Sequence, residues 1–290
     1  MPDDPLCLMT VHAHPDDEAS KGPGTIARYH AEGVRTVLVT CTGGEAGDIL
    51  NPAMDKPEIV ADLPAVRLRE LERAAEIIGY DEVVLLGYRD SGMPDTPPNA
   101  HPDAFANAPL DEAVGRLVEV IRRERPQVIV TYSDDQRGYP HPDHLRVHDI
   151  SVLAFEQAGD PDAHPGAGAP WQPLKLYYSV WSRKRMVAMH QRFKDLGLES
   201  PFGEEWLKRP SQDDRITTSI DIEGFNEVRI DALLAHETQV DPTSPFWFGL
   251  PRDEQATIHP YDEYVLARGL VESERPETDL FAGVRSQVRS

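Results

Sequence analysis

The sequence predicts an α/β protein: a Rossmann-like, mostly parallel sheet flanked by helices, with a smaller C-terminal α+β portion completing a substrate cleft. Three observations predict it. Short, near-continuous apolar runs alternate with amphipathic segments through about residue 158, and strands buried on both faces of a parallel sheet read as unbroken apolar runs. Titratable residues cluster at the ends of those runs, where parallel sheets carry their ligands. From Gly159 the chain passes through a Pro/Gly-rich link, "GDPDAHPGAGAPWQP", and its character changes. The expected organisation is a catalytic core over 1–158, a second portion of the same unit over 171–280, and a weakly ordered tail over 281–290.

The elements follow in order. "LCLMTVHA" is a strand ending in charge, and "GTIARYHAEG" a helix closed by Gly33. "RTVLVTCT" is β-branched and strand-like. "ADLPAVRLRELERAAEIIGY" has helical spacing and stops near Gly79, and "EVVLLGYRDSG" is a strand with its exit loop. "LDEAVGRLVEVIRRERP" is an amphipathic helix stopped by Pro126, "QVIVTYSDD" a strand, and "DHLRVHDISVLAFEQAG" a helix. Beyond the link, "LKLYYSVWS" and "RITTSIDI" are strands, while "KRMVAMHQRFKDLG" and "FNEVRIDALLAHETQ" are helices.

The 290 residues carry 29 basic against 50 acidic side chains, a formal charge of −21. That balance argues against nucleic acid or an anionic membrane as partner, because phosphates would be repelled. A small molecule is the expected partner, and oligomeric state is left open. No apolar run approaches the ~20 residues that span a bilayer. The start, "MPDDPLCLMTVHAH", has no basic region or long apolar segment, so a cytoplasmic protein is expected. Cys7 and Cys41 lie in apolar runs, as buried reduced thiols would.

Chemistry concentrates in "TVHAHPDDEASKG" (10–22) and "GYPHPDHLRVH" (138–148). Two His and one carboxylate form an open ligand set for catalytic zinc, and the same trio suits Fe(II). With Pro15 at a helix's first turn, His14 and Asp17 converge on one point, and Asp16 projects beside them as a base. His144, opening the helix after the fourth strand, completes the set, and His141 need not be a ligand. Taken singly, each of these residues also fits a solvated or helix-capping role. Two such clusters at one edge of one sheet favour the metal. "GPGTIA" (22–27) matches a dinucleotide fingerprint, but a charged loop separates it from the strand and Pro23 splits its glycines, which argues against NAD.

"AHPDDE" (13–18) paired with "HPDH" (141–144) resembles the LmbE/PIG-L family of zinc-dependent N-deacetylases, and the likeness extends over most of the chain. "TGGEAGDILNPAMD", "KLYY", "HETQVDP" and "ETDLFAG" further resemble the branch that hydrolyses the amide of mycothiol S-conjugates. A sibling branch deacetylates N-acetylglucosaminyl-inositol and is the alternative. A non-catalytic metal- or sugar-binding protein is the lesser one. The resemblance implies one zinc per chain on His14, Asp17 and His144. It implies Asp16 as general base, His141 as general acid with Asp143 orienting it, and Tyr139 assisting the carbonyl oxygen. It places Arg67 and Asp90 on sugar hydroxyls, Lys21 and Glu45 more weakly on substrate, and His236, with Gln239 and Asp241, closing the cleft. Segments 160–170 and 199–214 depart from the family's pattern and are expected to shape the pocket for the thiol-side group.

Overall fold

The computed structural model describes residues 5–288. Seven strands, β1 (Cys7–His12), β2 (Arg35–Thr42), β3 (Glu82–Tyr88), β4 (Val128–Thr131), β5 (Lys175–Val180), β6 (Thr218–Asp221) and β7 (Tyr261–Gly269), form one sheet in the order β3-β2-β1-β4-β5-β7-β6. The first five run parallel, whereas β7 lies antiparallel to both β5 and β6. The C-terminal portion therefore extends the core's own sheet. The chain reverses its winding between β1 and β4, which is where doubly wound sheets open a ligand crevice.

Twelve helices accompany the strands among the described residues: α1 (Asp17–Ser20), α2 (Pro23–Ala31), α3 (Pro57–Ala61), α4 (Leu63–Ile78), α5 (Leu110–Glu124), α6 (Pro142–Gln157), α7 (Arg183–Asp195), α8 (Glu204–Leu207), α9 (Glu227–Ala235), α10 (Pro245–Phe248), α11 (Arg252–Ile258) and α12 (Arg285–Val288). Alternation along β1 sends Met9 and Val11 to one face and Leu8 to the other, so every β1 residue is buried. The first face packs on α5 and α6 through Leu117, Ile121, Val147 and Ile150, and the second on α2, α4 and α9 through Ile26, Ala74 and Leu233. At the sheet edge β3 departs from the expected two-sided burial, leaving Leu85 45 % exposed. Among the described residues no helix is long and apolar enough to cross a membrane.

The tail expectation is corrected for the residues described. Leu280, Phe281 and Val284 are fully buried, and Phe281 meets Tyr29 edge-on. The cause lies just before them in "ETDLFAG". Glu277 is buried, pairs with Lys175 at 2.6 Å, and accepts hydrogen bonds from Tyr177 and Thr218. A buried ion pair holds only when its remaining lone pairs are satisfied, and those hydroxyls satisfy them. Residues 289–290 lie outside the described residues.

Candidate metal centre and substrate cleft

Loops leaving β1, β2, β3 and β4 meet at the switch point and line a cleft of about 730 Å³. β1 ends in His14, and the chain turns sharply through Pro15 and Asp16 into α1. Pro15 precedes the helix instead of opening it: Asp16 is the N-cap, at φ 118°. A non-glycine residue there is uncommon and strained. The Asp16 backbone N–H donates to Glu18 Oε2 at 2.9 Å, which compensates part of that strain.

Three donors converge. Asp17 Oδ2 lies 3.4 Å from His14 Nδ1 and 3.4 Å from His144 Nε2. Ligands about 2.0–2.1 Å from a tetrahedral zinc sit roughly 3.3 Å apart, and both Asp17–His distances match that spacing; the sets whose donor atoms all lie within 4.8 Å of one another are His14, His141 and His144, and His14, Asp90 and Asp143. Electrostatics fit as well. Burial pushes the His144 imidazole down to about 4, keeping it neutral with a free lone pair. Burial also disfavours a charged His14, but hydrogen bonds to Asp143, Asp17 and Asp90 outweigh it and hold its pKa well above the usual value. The centre is a place where positive charge is stabilised. His141 is close enough to join His14 and His144 as a further donor.

Asp143 occupies a different place from the one expected. Its carboxylate accepts from Ser91 N–H at 2.9 Å and the Ser91 hydroxyl, and lies 3.1 Å from His14 Nε2. It orients His14, as outer carboxylates orient metal-binding histidines, and not the His141 side chain. His141 caps α6 instead: its Nδ1 accepts the Asp143 backbone N–H at 3.2 Å. An accepting Nδ1 assigns the ring proton to Nε2.

Arg67 is 2 % exposed. Its Nη2 donates to Asp16 Oδ2 at 3.0 Å and to the Pro15 carbonyl at 2.6 Å, and its Nη1 to the Gly44 carbonyl. The glycines of "TGGEAGD" permit this embrace: Gly44 sits at φ +67°, and a Cβ on Gly47 would lie 2.6 Å from Arg67 Nη1. Asp90 accepts from the backbone N–H groups of Ala46 and Gly92. Both Arg67 and Asp90 line the cleft, and so does Tyr139, 57 % exposed, with its ring 6.1 Å from that of His141.

Three residues expected at the substrate are placed as follows. Lys21 lines the cleft but spends its ammonium on Asp17 Oδ1. Glu45 accepts the Asp90 backbone N–H at 3.0 Å and is not part of the cleft wall. His236 is fully buried, 2.5 Å from Glu18 Oε1, away from the cleft. Its neighbour Gln239 faces the cleft instead, because Glu70 grips Thr238 through both backbone N–H and hydroxyl. Asp241 is likewise outside the wall. Four aromatic residues were not anticipated: Trp181, Trp206, Phe246 and Trp247 line the cleft from three distant segments. Only the paired aromatics in "FWFGLP" offered a signal, and they read equally as core.

Family and relatives make this a hydrolase of amide bonds, with a His/Asp candidate metal site at the switch point of its sheet. The chain belongs to the PIG-L family, described as GlcNAc-PI de-N-acetylase, whose profile matches residues 9–155. It is 47 % identical over 295 residues to a mycothiol S-conjugate amidase of Streptomyces coelicolor, covering 98 % of this chain and 99 % of that protein. It is 41 % identical to a 1D-myo-inositol 2-acetamido-2-deoxy-alpha-D-glucopyranoside deacetylase of Streptomyces avermitilis, covering 96 % and 97 %. Its fold is similar to that of N,N'-diacetylchitobiose deacetylase from Pyrococcus horikoshii, with a TM-score of 0.62 at 16 % identity over 92 % of this chain and 85 % of that one.

Proposed function

We propose that the chain is a zinc-dependent amidase that hydrolyses mycothiol S-conjugates at the amide between glucosaminyl-inositol and the S-substituted N-acetylcysteine. Water adds across the C–N bond: its hydroxyl ends on the acyl carbon, giving a mercapturic acid, and a proton ends on nitrogen, giving glucosaminyl-inositol. The observation that carries this reading is the near full-length likeness to the Streptomyces coelicolor amidase, joined to a His14–Asp17–His144 cluster in which Asp17 lies 3.4 Å from each histidine. One zinc per chain on His14, Asp17 and His144 is the assignment, with Fe(II) chemically compatible. Buried free thiols at Cys7 and Cys41 suit the reducing cytoplasm.

When bound, the metal polarises the carbonyl and lowers the pKa of water. The chain's own residues do the rest. Asp16 takes the proton of the attacking water. Burial raises its carboxyl to about 6 against the pull of Arg67, close to the working pH where a base is most effective. Arg67 keeps that carboxylate aimed. The proton that Asp16 takes from water ends on the departing nitrogen, which His141 holds by a hydrogen bond from Nε2–H, and Tyr139 donates from its phenol to the developing oxyanion, a contact worth about 3 kcal/mol. Arg67, Asp90, Asp48 and Gln239 supply a polar wall suited to sugar hydroxyls.

The relatives also include the biosynthetic deacetylases, so release of acetate from N-acetylglucosaminyl-inositol is the second reading. A comparison of kcat/KM for that sugar and for a mycothiol S-conjugate, on zinc-loaded protein with free amine as readout, separates them. Preference for the conjugate supports the amidase, and preference for the acetyl sugar overturns it.

A further inference from the structure

The cleft is lined by two chemically different groups of residues. One is polar, with Asp48, Arg67, Asp90 and Gln239. The other is a wall of four half-buried aromatic rings. Trp181, just past β5, lies parallel to Phe246 of α10, with ring centroids 6.0 Å apart and planes 7° apart. Trp247 stands edge-on to Trp181 at 5.7 Å, and Trp206 of α8 completes the wall 6.2 Å from Phe246. The Arg209 guanidinium covers the Trp206 ring at 4.9 Å.

This wall is tied to the reaction centre. Trp181 Nε1 donates to the Ser20 carbonyl at 3.2 Å, three residues after Asp17. Arg67 contacts Asp16 from the polar side. Both groups of lining residues are therefore anchored on the turn that carries Asp16 and Asp17. Large half-exposed aromatics gathered in a concavity mark a site for an apolar or aromatic ligand. A bare acetyl group has one methyl beyond the scissile carbonyl. An S-substituted cysteine carries its substituent four bonds beyond it, on a flexible thioether.

Resting on the amidase reading above, we propose that the wall of Trp181, Trp206, Phe246 and Trp247 is a subsite for the S-linked substituent, and that it selects flat aromatic groups over small aliphatic ones. Aromatic rings gain stacking and edge contacts in addition to burial, and a single pocket discriminates between substituents of different size by about 10- to 100-fold. Apart from Trp181 at the exit of β5, the wall comes from α8 and α10, so it sets specificity largely apart from the loops that carry the proposed metal ligands.

The test compares S-benzyl and S-methyl conjugates and N-acetylglucosaminyl-inositol on zinc-loaded full-length protein. The expected wild-type result is a kcat/KM about tenfold or more higher for benzyl than for methyl, carried by KM. In Trp206→Ala the benzyl-to-methyl ratio falls toward one, and in Trp206→Phe, which keeps a ring, most of it returns. Phe246→Leu gives a second, independent reading of the same ratio. A wild-type ratio near one, or a ratio indifferent to these substitutions, overturns the subsite while leaving the amidase reading intact. Hydrolysis of the acetyl sugar with neither conjugate turned over overturns both.

Discussion

The backbone N–H of Asp16 donates to Glu18 Oε2 at 2.9 Å, and Asp16 is held at φ 118° beside the proposed metal ligand Asp17. Glu18 is itself locked by His236, whose Nε2 lies 2.5 Å from Oε1 with both side chains fully buried. Burial opposes ionisation of each, but their mutual attraction lowers the Glu18 pKa and raises that of His236. The pair acts as a brace under the turn that aims the proposed base.

Glu18→Ala therefore costs activity without removing a ligand. The expected loss is about 10- to 100-fold in kcat, with one zinc per chain retained and KM little changed. Glu18→Gln, which keeps an acceptor for the Asp16 N–H, recovers part of it. Loss of bound zinc in parallel with activity would show that the brace holds the metal rather than the base.

Gly44→Ala tests the seat of Arg67. The glycine adopts φ +67°, and a Cβ there would collide with the Arg67 guanidinium. Arg67 is buried, so a Cβ at Gly44 displaces its guanidinium and its grip on Asp16 loosens. Activity is expected to fall by roughly tenfold or more, while far-UV circular dichroism and zinc content stay unchanged. Full activity would mean that Arg67 does not position Asp16.

Asp262 links pH to stability. Burial alone would raise its pKa, but the charges of Arg229 and Arg185 and the Thr25 N–H outweigh burial and hold it below the usual carboxylate range. A depressed folded-state pKa contributes stability above the unfolded value of about 3.9, and loses it as pH falls through the folded value. Asp262→Asn leaves two arginines unpaired and is expected to cost about 3 kcal/mol at pH 7. At pH 3 the variant and the wild type draw together. Urea melts at the two pH values measure the difference, and an equal gap at both contradicts the account.

Lys175 tests the anchoring of the C-terminal segment. Its ammonium is fully buried against Glu277. Lys175→Met leaves that carboxylate without a cation and is expected to cost about 3–5 kcal/mol in urea unfolding. A change under about 1 kcal/mol would mean that the hydroxyls of Tyr177, Thr218 and Ser273 suffice alone.

Much of this was legible in the chain. Unbroken apolar runs such as "RTVLVTCT" announce strands buried on both faces, and His14, Asp17 and His144 stand out because polar clusters at strand exits have few structural uses. The partners of those residues were not legible. Asp143 sits two residues from His141 in sequence, yet its carboxylate reaches back 129 residues to His14, and adjacency suggested the wrong neighbour. His236 looked like a cleft residue because it shares "HETQ" with Gln239, but the C-terminus of α9 turns one inward and the other outward. The aromatic wall was invisible because half-buried Trp and Phe from separate segments carry no spacing that distinguishes a subsite from a core. Glu277 was hidden for the converse reason: a charged residue in a polar tail gives no sign that it will be buried.

The most direct measurement is a zinc titration of metal-free protein, followed by free-amine release from a mycothiol S-conjugate. Activity is predicted to rise linearly to one equivalent of zinc per chain and then level off, and Asp17→Ala and His144→Ala are predicted to show no such rise. Hydrolysis that proceeds unchanged in the metal-free protein, or that survives both substitutions with full zinc response, would contradict the account.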